Sequence, residues 1–196
     1  MAVVDIPLFP LRSVLFPGGT VDLRIFEQRY LDMVRDCARN DGAFGICLIL
    51  DGEEVGTPAA PATVGTCARI IDFHRGEDGL LGIRVEGGAR FTVAKTRVRD
   101  NGLMHGDAQL WPLESTQQVP PEFSLLATIL ERLLDRMGGP LANASRSLYD
   151  DAGWVGFRLA EALPLANPER QLLLQMSDPQ QRLQQLMHYL PRFQAD

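Results

Sequence analysis

The chain has 196 residues, of which 45% are apolar, 22% charged and 7% aromatic, and this composition excludes a disordered or fibrous chain. Its 19 basic and 25 acidic side chains give a formal net charge of −6, which argues against a general binder of polyanions. The longest apolar stretch, residues 43–50, is far shorter than the roughly 20 residues that span a bilayer. No basic segment typical of a signal peptide is present and the three cysteines are widely spaced, so we expect a cytoplasmic protein with no membrane partner.

The residue counts argue against several catalytic motifs. Lys95 is the only lysine and follows Ala94 in an apolar stretch, so a Walker A loop is excluded and a Ser–Lys dyad is not expected. None of the six serines has a glycine two positions away on both sides, as a nucleophile elbow requires. The histidines His74, His105 and His188 lie far apart and match no zinc-ligand spacing. We therefore expect no catalytic residue, no metal and no cofactor.

A hydrolase whose site is assembled only by the folded chain is an alternative. Such a site requires a histidine within hydrogen-bond distance of a serine, a cysteine or a carboxylate in a cleft. We expect the structure to contain no such pair.

Residues 1–115 have the patterns of β-strands with one helix. Residues 20–25 alternate between apolar and polar, and after Phe26 the apolar spacing becomes helical. A change of the inward-facing set near Ala94 predicts a β-bulge. The predicted order is strand 3–9, strand 20–25, helix 27–39, strand 43–50, an exposed loop at 51–62, and strands 64–73, 80–86, 89–98 and 104–113, with turns at 74–79 and 87–88. Many strands joined by short turns favour a closed or nearly closed barrel.

The remainder of the chain has helical patterns. Residues 116–122 are polar with a Pro-Pro pair and are predicted to be a linker. Residues 123–196 are predicted to form a helical bundle, which we expect to dock on the barrel because so few residues rarely form a stable core alone. Pro168 follows Asn167 and Pro179 follows Asp178, a pattern typical of a cap residue and the first helical residue.

Five different short motifs follow one another along the first part of the chain. They are Ile-Pro-Leu-Phe-Pro-Leu at 6–11, Val-Leu-Phe-Pro-Gly at 14–18, Leu-Arg-Ile-Phe-Glu-Gln-Arg-Tyr at 23–30, Val-Gly-Thr-Cys-Ala-Arg-Ile at 64–70 and Val-Glu-Gly-Gly-Ala-Arg-Phe at 85–91. In their order and spacing the chain resembles the N-terminal, substrate-binding domain of Lon proteases. The resemblance implies an α+β fold, in which a PUA-like β pseudo-barrel with one helix is followed by a small α-helical bundle.

The resemblance also implies a function. It implies non-catalytic recognition of unfolded or degron-bearing polypeptides, with a protease as a further partner, and no hydrolysis. The ATPase and peptidase modules of a complete Lon protease are not expected, since Lys95 is the only lysine.

Candidate peptide-binding residues lie in or near these motifs. An exposed aromatic side chain would contact an extended peptide, and an arginine would anchor a peptide carboxylate or carbonyl. For each residue, core packing or a structural ion pair is the alternative interpretation. The candidates are Phe16, Phe26, Tyr30, Arg69, Arg90, Phe91 and Trp154.

RNA binding is the alternative function, because PUA-like barrels can serve that role. It requires a positively charged face. The net charge argues against a nucleic-acid partner, and the sequence does not indicate an oligomeric state. The basic residues that would have to cluster are Arg69, Arg84, Arg90, Lys95, Arg97 and Arg99.

Overall fold

The structure, a computed structural model, describes residues 3–52, 54 and 60–193. The chain divides into two units, Met1–Pro112 and Leu113–Asp196. Among the described residues, the first unit contains a six-stranded sheet and one α-helix, and the second contains four α-helices and several short 3-10 helices, so the predicted α+β class is confirmed. No helix within the described ranges has both the length and the apolar composition needed to cross a lipid bilayer.

The elements of the first unit follow the predicted order. The helix begins where the predicted change of period occurs, because Tyr30, Met33, Val34 and Cys37 recur at helical spacing and are all buried. The strands are Val3–Leu11 (β1), Thr20–Ile25 (β2), Phe44–Asp51 (β3), Ala60–Arg75 (β4), Leu81–Val98 (β5) and Met104–Leu110 (β6), and the helix is Gln28–Asn40 (α1).

The sheet is closed over only part of its height. The strand order is β2-β5-β4-β3-β1-β6, and an additional pairing between β5 and β6 joins the two sides. The long strand β5 makes both arrangements possible, because its residues 81–86 pair with β2 and its residues 91–98 pair with β6. Five strands therefore form a ring, and β2 is attached to the outside of that ring along the first part of β5.

The prediction of two strands separated by a turn at residues 87–88 is wrong. The segment is one continuous strand, and the loop between β1 and β2 passes against it at Gly87. Gly18 donates a hydrogen bond to the Gly87 carbonyl at 2.7 Å, and Gly87 donates to the Gly19 carbonyl at 2.8 Å. A Cβ at Gly87 would collide with the Phe16 carbonyl oxygen, so glycine is needed here for close approach of two backbones.

Two other predictions have opposite outcomes. The β-bulge is confirmed, since the register between β5 and β6 shifts between Val93 and Lys95. The loop predicted at 51–62 ends too late, because β4 already begins at Ala60 and pairs there with β3. The sequence predicts a loop here because proline is rare inside strands. Pro61 is tolerated in β4 because the register with β3 is irregular at this position. Residues 53 and 55–59 of that loop lie outside the described residues.

Two apolar clusters form the core of the first unit. The larger packs the buried face of α1 against side chains of β1, β2 and β5. The smaller lies among the strands of the ring and has Leu8, Cys47, Phe91 and Val93 among its members. The ring of Phe91 occupies space that Gly45 and Gly65 leave open, since a Cβ at either glycine would lie within 2.7 Å of it.

The second unit consists of short helices separated by prolines and glycines. Asp178 is confirmed as the cap of the last helix, where its carboxylate accepts from the Gln180 amide at 2.9 Å. Asn167 is not a cap but the first helical residue; Ala166 precedes the helix, and the Ala166 amide donates to the Glu169 carboxylate at 2.9 Å. The helices are Ser124–Met137 (α2), Ala152–Ala162 (α3), Asn167–Gln175 (α4) and Pro179–Tyr189 (α5).

The segment predicted as a linker is held by main-chain hydrogen bonds within the second unit. Val119 donates to the Asp150 carbonyl at 2.9 Å, and Ala152 donates to the Gln117 carbonyl at 2.8 Å. Gln118 and Asp151 form an isolated antiparallel bridge between these two bonds. Residues 117–119 therefore lie against the start of α3.

Candidate functional site

The first unit has a cleft where two strands lack a neighbour. In β1, residues 3–7 pair with β6, so the later residues of β1 have no described strand beside them on that side. Among the described strands, β2 pairs with β5 alone. The volume of the cleft is about 240 Å³. Its lining residues come from β1, β2, the start of α1 and one position beyond β3, and they are Phe9, Leu11, Asp22, Leu23, Arg24, Phe26, Glu27, Tyr30 and Glu54.

Aromatic side chains form both the floor and the mouth of the cleft. Tyr30 is buried at the start of α1 and packs on Phe9, with 4.2 Å between the ring centroids. Burial raises the pKa of the Tyr30 hydroxyl, so the floor carries no charge at neutral pH. Phe26 lies between the end of β2 and α1 and remains 48% exposed. The cleft thus combines a rigid apolar floor with an aromatic ring that is open to a ligand.

The charged lining residues are mostly carboxylates that have partners. Glu27 pairs with Arg29 at 2.8 Å, and the guanidinium of Arg29 also lies 4.7 Å from the centre of the Tyr30 ring. Asp22 pairs with Arg84 at 2.9 Å, and this hydrogen bond holds the pKa of the Asp22 carboxyl below its ordinary value. Three carboxylates and one guanidinium line the cleft, and the guanidinium of Arg24 is itself paired with Asp78 at 2.6 Å.

Of the seven residues predicted to bind a peptide, Phe26 and Tyr30 lie together in the cleft. Phe16 and Phe91 have no exposed surface, which leaves nothing for a peptide to contact. Trp154 lies in α3 of the second unit, where its ring meets Tyr149 edge-on at 5.1 Å. Core packing, the alternative interpretation, describes Phe16 and Phe91.

The two predicted arginines form structural contacts. Arg69 is exposed and pairs with Glu86 on the neighbouring strand at 3.1 Å. Arg90 is buried, and its guanidinium stacks 4.4 Å from the centre of the Trp111 ring. Neither lines the cleft.

The sequence prediction missed most of the cleft. Phe9, Leu11, Asp22 and Arg24 line the cleft and are not among the seven predicted residues. The alternation of residues 20–25 identified β2 as a strand, but no local pattern shows that one edge of that strand lacks a partner.

Four of the five arginines proposed for RNA binding are paired with carboxylates along the sheet, and the fifth, Arg90, is buried against Trp111. Besides Arg69 and Arg84, Arg97 contacts Asp5 at 2.7 Å and Asp107 at 2.6 Å, and Arg99 contacts Asp5 at 2.7 Å. These pairs cancel the charge that a phosphate backbone would require. The structure therefore gives no support to the RNA-binding alternative.

One histidine and one carboxylate do lie together, but on the sheet and not among the residues that line the cleft. His105 Nδ1 is 3.0 Å from Asp5 Oδ1, because the antiparallel pairing of β1 and β6 brings the two strands together across 100 residues of sequence. The pair lies among Arg97 and Arg99 on the sheet, and the described contacts of His105 include no serine or cysteine. Among the described residues, no group of three His, Cys, Asp or Glu side chains is arranged to hold a metal ion.

The thiols of the first unit are unsuited to nucleophilic chemistry. Burial raises the pKa of Cys47 to about 12 and that of Cys67 to about 11. Both therefore stay protonated at neutral pH, and a thiol is a much weaker nucleophile than a thiolate.

Comparison with known proteins places the chain among Lon domains. A family model described as the ATP-dependent protease La (LON) substrate-binding domain matches residues 5–192. The crystal structure of a Lon N-terminal domain protein from Xanthomonas campestris is 48% identical, has a TM-score of 0.80, and aligns over 95% of this chain and 98% of that one. The N-terminal domain of the Mycobacterium avium complex Lon protease shares the fold at 18% identity, with a TM-score of 0.65 over 94% and 97% of the two chains.

Curated relatives are much longer proteins. The Lon protease of Escherichia coli strain K12 is 26% identical over 195 residues, which cover 94% of this chain and 24% of that protein. Lon protease 2 of Myxococcus xanthus is 38% identical over 93 residues, which cover 46% of this chain and 11% of that protein. The chain thus spans at most about a quarter of the length of these relatives.

Proposed function

Because the chain belongs to the family of Lon substrate-binding domains, we propose that it binds polypeptide segments in the cleft beside β2 without cleaving them. The observation that carries the proposal is the exposure of Phe26 above the buried ring of Tyr30. An exposed aromatic ring at the mouth of an apolar cleft gives a partner side chain a surface on which to exclude water.

The size of the cleft fits side chains of a polypeptide. Its volume of about 240 Å³ is below the range of about 300–1,000 Å³ that is usual for drug-sized ligands. Unfolded polypeptides expose the apolar side chains that folded proteins bury, so they supply the ligand that such a cleft selects. Ordering a flexible segment opposes binding, and we expect dissociation constants of about 0.1–1 mM for a single segment.

The chemistry of the first unit supports binding without hydrolysis. The buried thiols are protonated, and the His105–Asp5 pair is surrounded by arginines that make ion pairs on the sheet. We also propose that the ligands are unfolded or degron-bearing polypeptides, and that the protein passes them to a protease in the cytoplasm.

Two half-exposed phenylalanines allow a matched test. Phe26 lines the cleft and is 48% exposed, whereas Phe73 is 51% exposed on β4 and does not line it. A fluorescent, alkylated, unfolded protein is titrated with the wild type, Phe26→Ala and Phe73→Ala, and binding is measured by anisotropy. We expect Phe26→Ala to weaken binding about tenfold, equivalent to about 1.4 kcal/mol, and Phe73→Ala to leave it unchanged. Equal affinities for Phe26→Ala and the wild type would contradict the proposal.

A further inference from the structure

One edge of β2 carries main-chain groups that have no strand beside them. In the described part of the chain, β2 is the terminal strand of the sheet and pairs only with β5. The residues of an antiparallel strand alternate, so that the N–H and C=O of one residue face the partner strand and those of the next face away. Which residues of β2 face away follows from the register.

The register fixes the alternation. Gly87 donates to the Gly19 carbonyl at 2.8 Å, as in a hydrogen-bonded pair, whereas the Gly19 amide, at the start of the strand, turns back to the Phe16 carbonyl at 3.0 Å. Continuing along the same register, Val21 and Leu23 form hydrogen-bonded pairs with β5. The N–H and C=O groups of Asp22 and Arg24 therefore point away from β5, toward the open edge.

Asp22 and Arg24 line the cleft, but their side chains are engaged in ion pairs. The Asp22 carboxylate pairs with Arg84 at 2.9 Å, and the Arg24 guanidinium pairs with Asp78 at 2.6 Å. The main chain of these two residues is then what remains available to a ligand. Leu23, between them, faces the buried core, and its position defines the side on which a neighbouring strand would bury its own side chains.

The opposite side of the cleft is a poorer template. β1 contains Pro7 and Pro10, and a proline has no N–H to donate. β2 contains no proline, so each of its outward-facing residues offers both a donor and an acceptor. The geometry thus favours β2 over β1 as the strand to which a ligand adds.

Resting on the proposed function, we propose that the polypeptide binds as an added β-strand along the open edge of β2, through main-chain hydrogen bonds to Asp22 and Arg24. Alternate ligand side chains, those on the side of Leu23, enter the cleft beside Tyr30 and Phe26. Main-chain groups are common to all polypeptides and are already paired in folded proteins, so this mode selects unfolded segments with little regard to sequence.

The mode of binding defines a ligand class. The segment is extended, with apolar residues at alternate positions and no proline facing β2. Because Asp22, Glu27 and Arg24 of the lining are already in ion pairs, the cleft sets no strong preference for the charge of the residues between the apolar positions.

A pair of variants at one position tests the hydrogen bonds. Asp22→Pro removes the outward N–H, which the ladder to β5 does not use, and Asp22→Ala removes the same carboxylate but keeps the N–H. Both are compared for binding of a short peptide with leucine at alternate positions and lysine between. We expect Asp22→Pro to bind at least about tenfold more weakly than Asp22→Ala. Equal binding by two variants with wild-type thermal unfolding would overturn strand addition.

Modified peptides test the same bonds without altering the protein. The amides of the peptide are N-methylated at either the odd or the even positions, which removes the donors of one edge at a time. We expect one methylated peptide to lose binding and the other to retain it. If both bind like the parent, strand addition is wrong while binding in the cleft stands. If the parent peptide itself does not compete with the unfolded protein used to test Phe26→Ala, strand addition is overturned, and the Phe26→Ala result separately decides the proposed function.

Discussion

The two units satisfy their main-chain groups in different ways. In the second unit, buried or half-buried arginines bind the carbonyls at the ends of helices: Arg182 donates to the Leu173 and Met176 carbonyls at 3.2 and 2.7 Å, and Arg170 donates to the Leu163 carbonyl at 3.1 Å. In the first unit, strand pairing satisfies most of the main chain, and many arginines, such as Arg84, lie on the outer surface in ion pairs, although Arg29 donates to the Gly102 carbonyl at 3.2 Å. Within the described residues, no side chain is hydrogen-bonded to the main chain of Asp22 or Arg24 at the open edge of β2, and this is why we propose that a polypeptide binds there.

We also expect Arg182 of the second unit and Arg84 of the first unit to contribute differently to the free energy of unfolding. Arg182 is completely buried, contacts the Glu114 carboxylate through both terminal nitrogens and stacks 3.7 Å from the centre of the Phe157 ring. Arg84 and its partner Asp22 are both about half exposed. Removing one partner of a buried ion pair lowers the free energy of unfolding strongly, because the other charge stays buried without its partner. An exposed ion pair contributes little to that free energy.

The largest expected effect is the removal of the buried guanidinium. Arg182→Met removes the guanidinium from the Glu114 carboxylate and from the Leu173 and Met176 carbonyls, and we expect it to lower the free energy of unfolding by about 3–5 kcal/mol. Urea denaturation followed by circular dichroism measures the change. A loss below about 1 kcal/mol would mean that the second unit does not depend on this network.

Close packing in the first unit gives the next largest effect. A Cβ at Gly65 would lie 2.7 Å from the Phe91 ring and from the Cys47 sulfur, so we expect Gly65→Ala to destabilise by about 1–3 kcal/mol. Gly88→Ala is the matched control, because a Cβ there meets only the Cys67 carbonyl at an ordinary 3.6 Å. Similar unfolding free energies for the two variants would show that the ring core is looser than described.

A carboxyl group in the second unit gives a smaller, pH-dependent effect. Burial raises the pKa of Glu161 to about 7, although Arg158 and Arg170 act in the opposite direction. Glutamate in an unfolded chain titrates near about 4.3, so the folded state holds the proton more tightly and its stabilising contribution is lost as the pH rises from about 4 to 7. The side chain keeps 27% of its exposure, and we expect a change of about 1–2 kcal/mol.

Glu161→Gln tests that assignment. The variant removes the titrating group, so its stability exceeds that of the wild type at pH 8 and matches it at pH 4, as measured by denaturation at the two pH values. A variant that is less stable than the wild type at pH 8 would show instead that the ion pair with Arg158 outweighs the burial of the charge.

The smallest expected effect is on the surface of the sheet. Arg84→Ala breaks the exposed pair with Asp22, and we expect the free energy of unfolding to stay close to that of the wild type. The same denaturation experiment measures it beside Arg182→Met. A loss as large as that of Arg182→Met would remove the contrast between the two units.

Local patterns predicted the elements well and the site poorly. The alternation of residues 20–25, the helical spacing from Phe26 and the bulge near Ala94 are properties of neighbouring residues, and the structure confirms them. The burial of Phe91 depends on Gly45 and Gly65, which are distant in sequence, and it could not be read from the motif that contains it. The cleft depends on which strand edge stays unpaired, a property of the whole sheet.

Amide hydrogen exchange, followed by NMR with and without a saturating unfolded polypeptide, tests the central claim most directly. If the polypeptide adds to β2, the amides of Asp22 and Arg24 exchange more slowly in the complex, while those of α2 to α5 keep their rates. Unchanged exchange at Asp22 and Arg24, or protection confined to the helices of the second unit, would contradict the account.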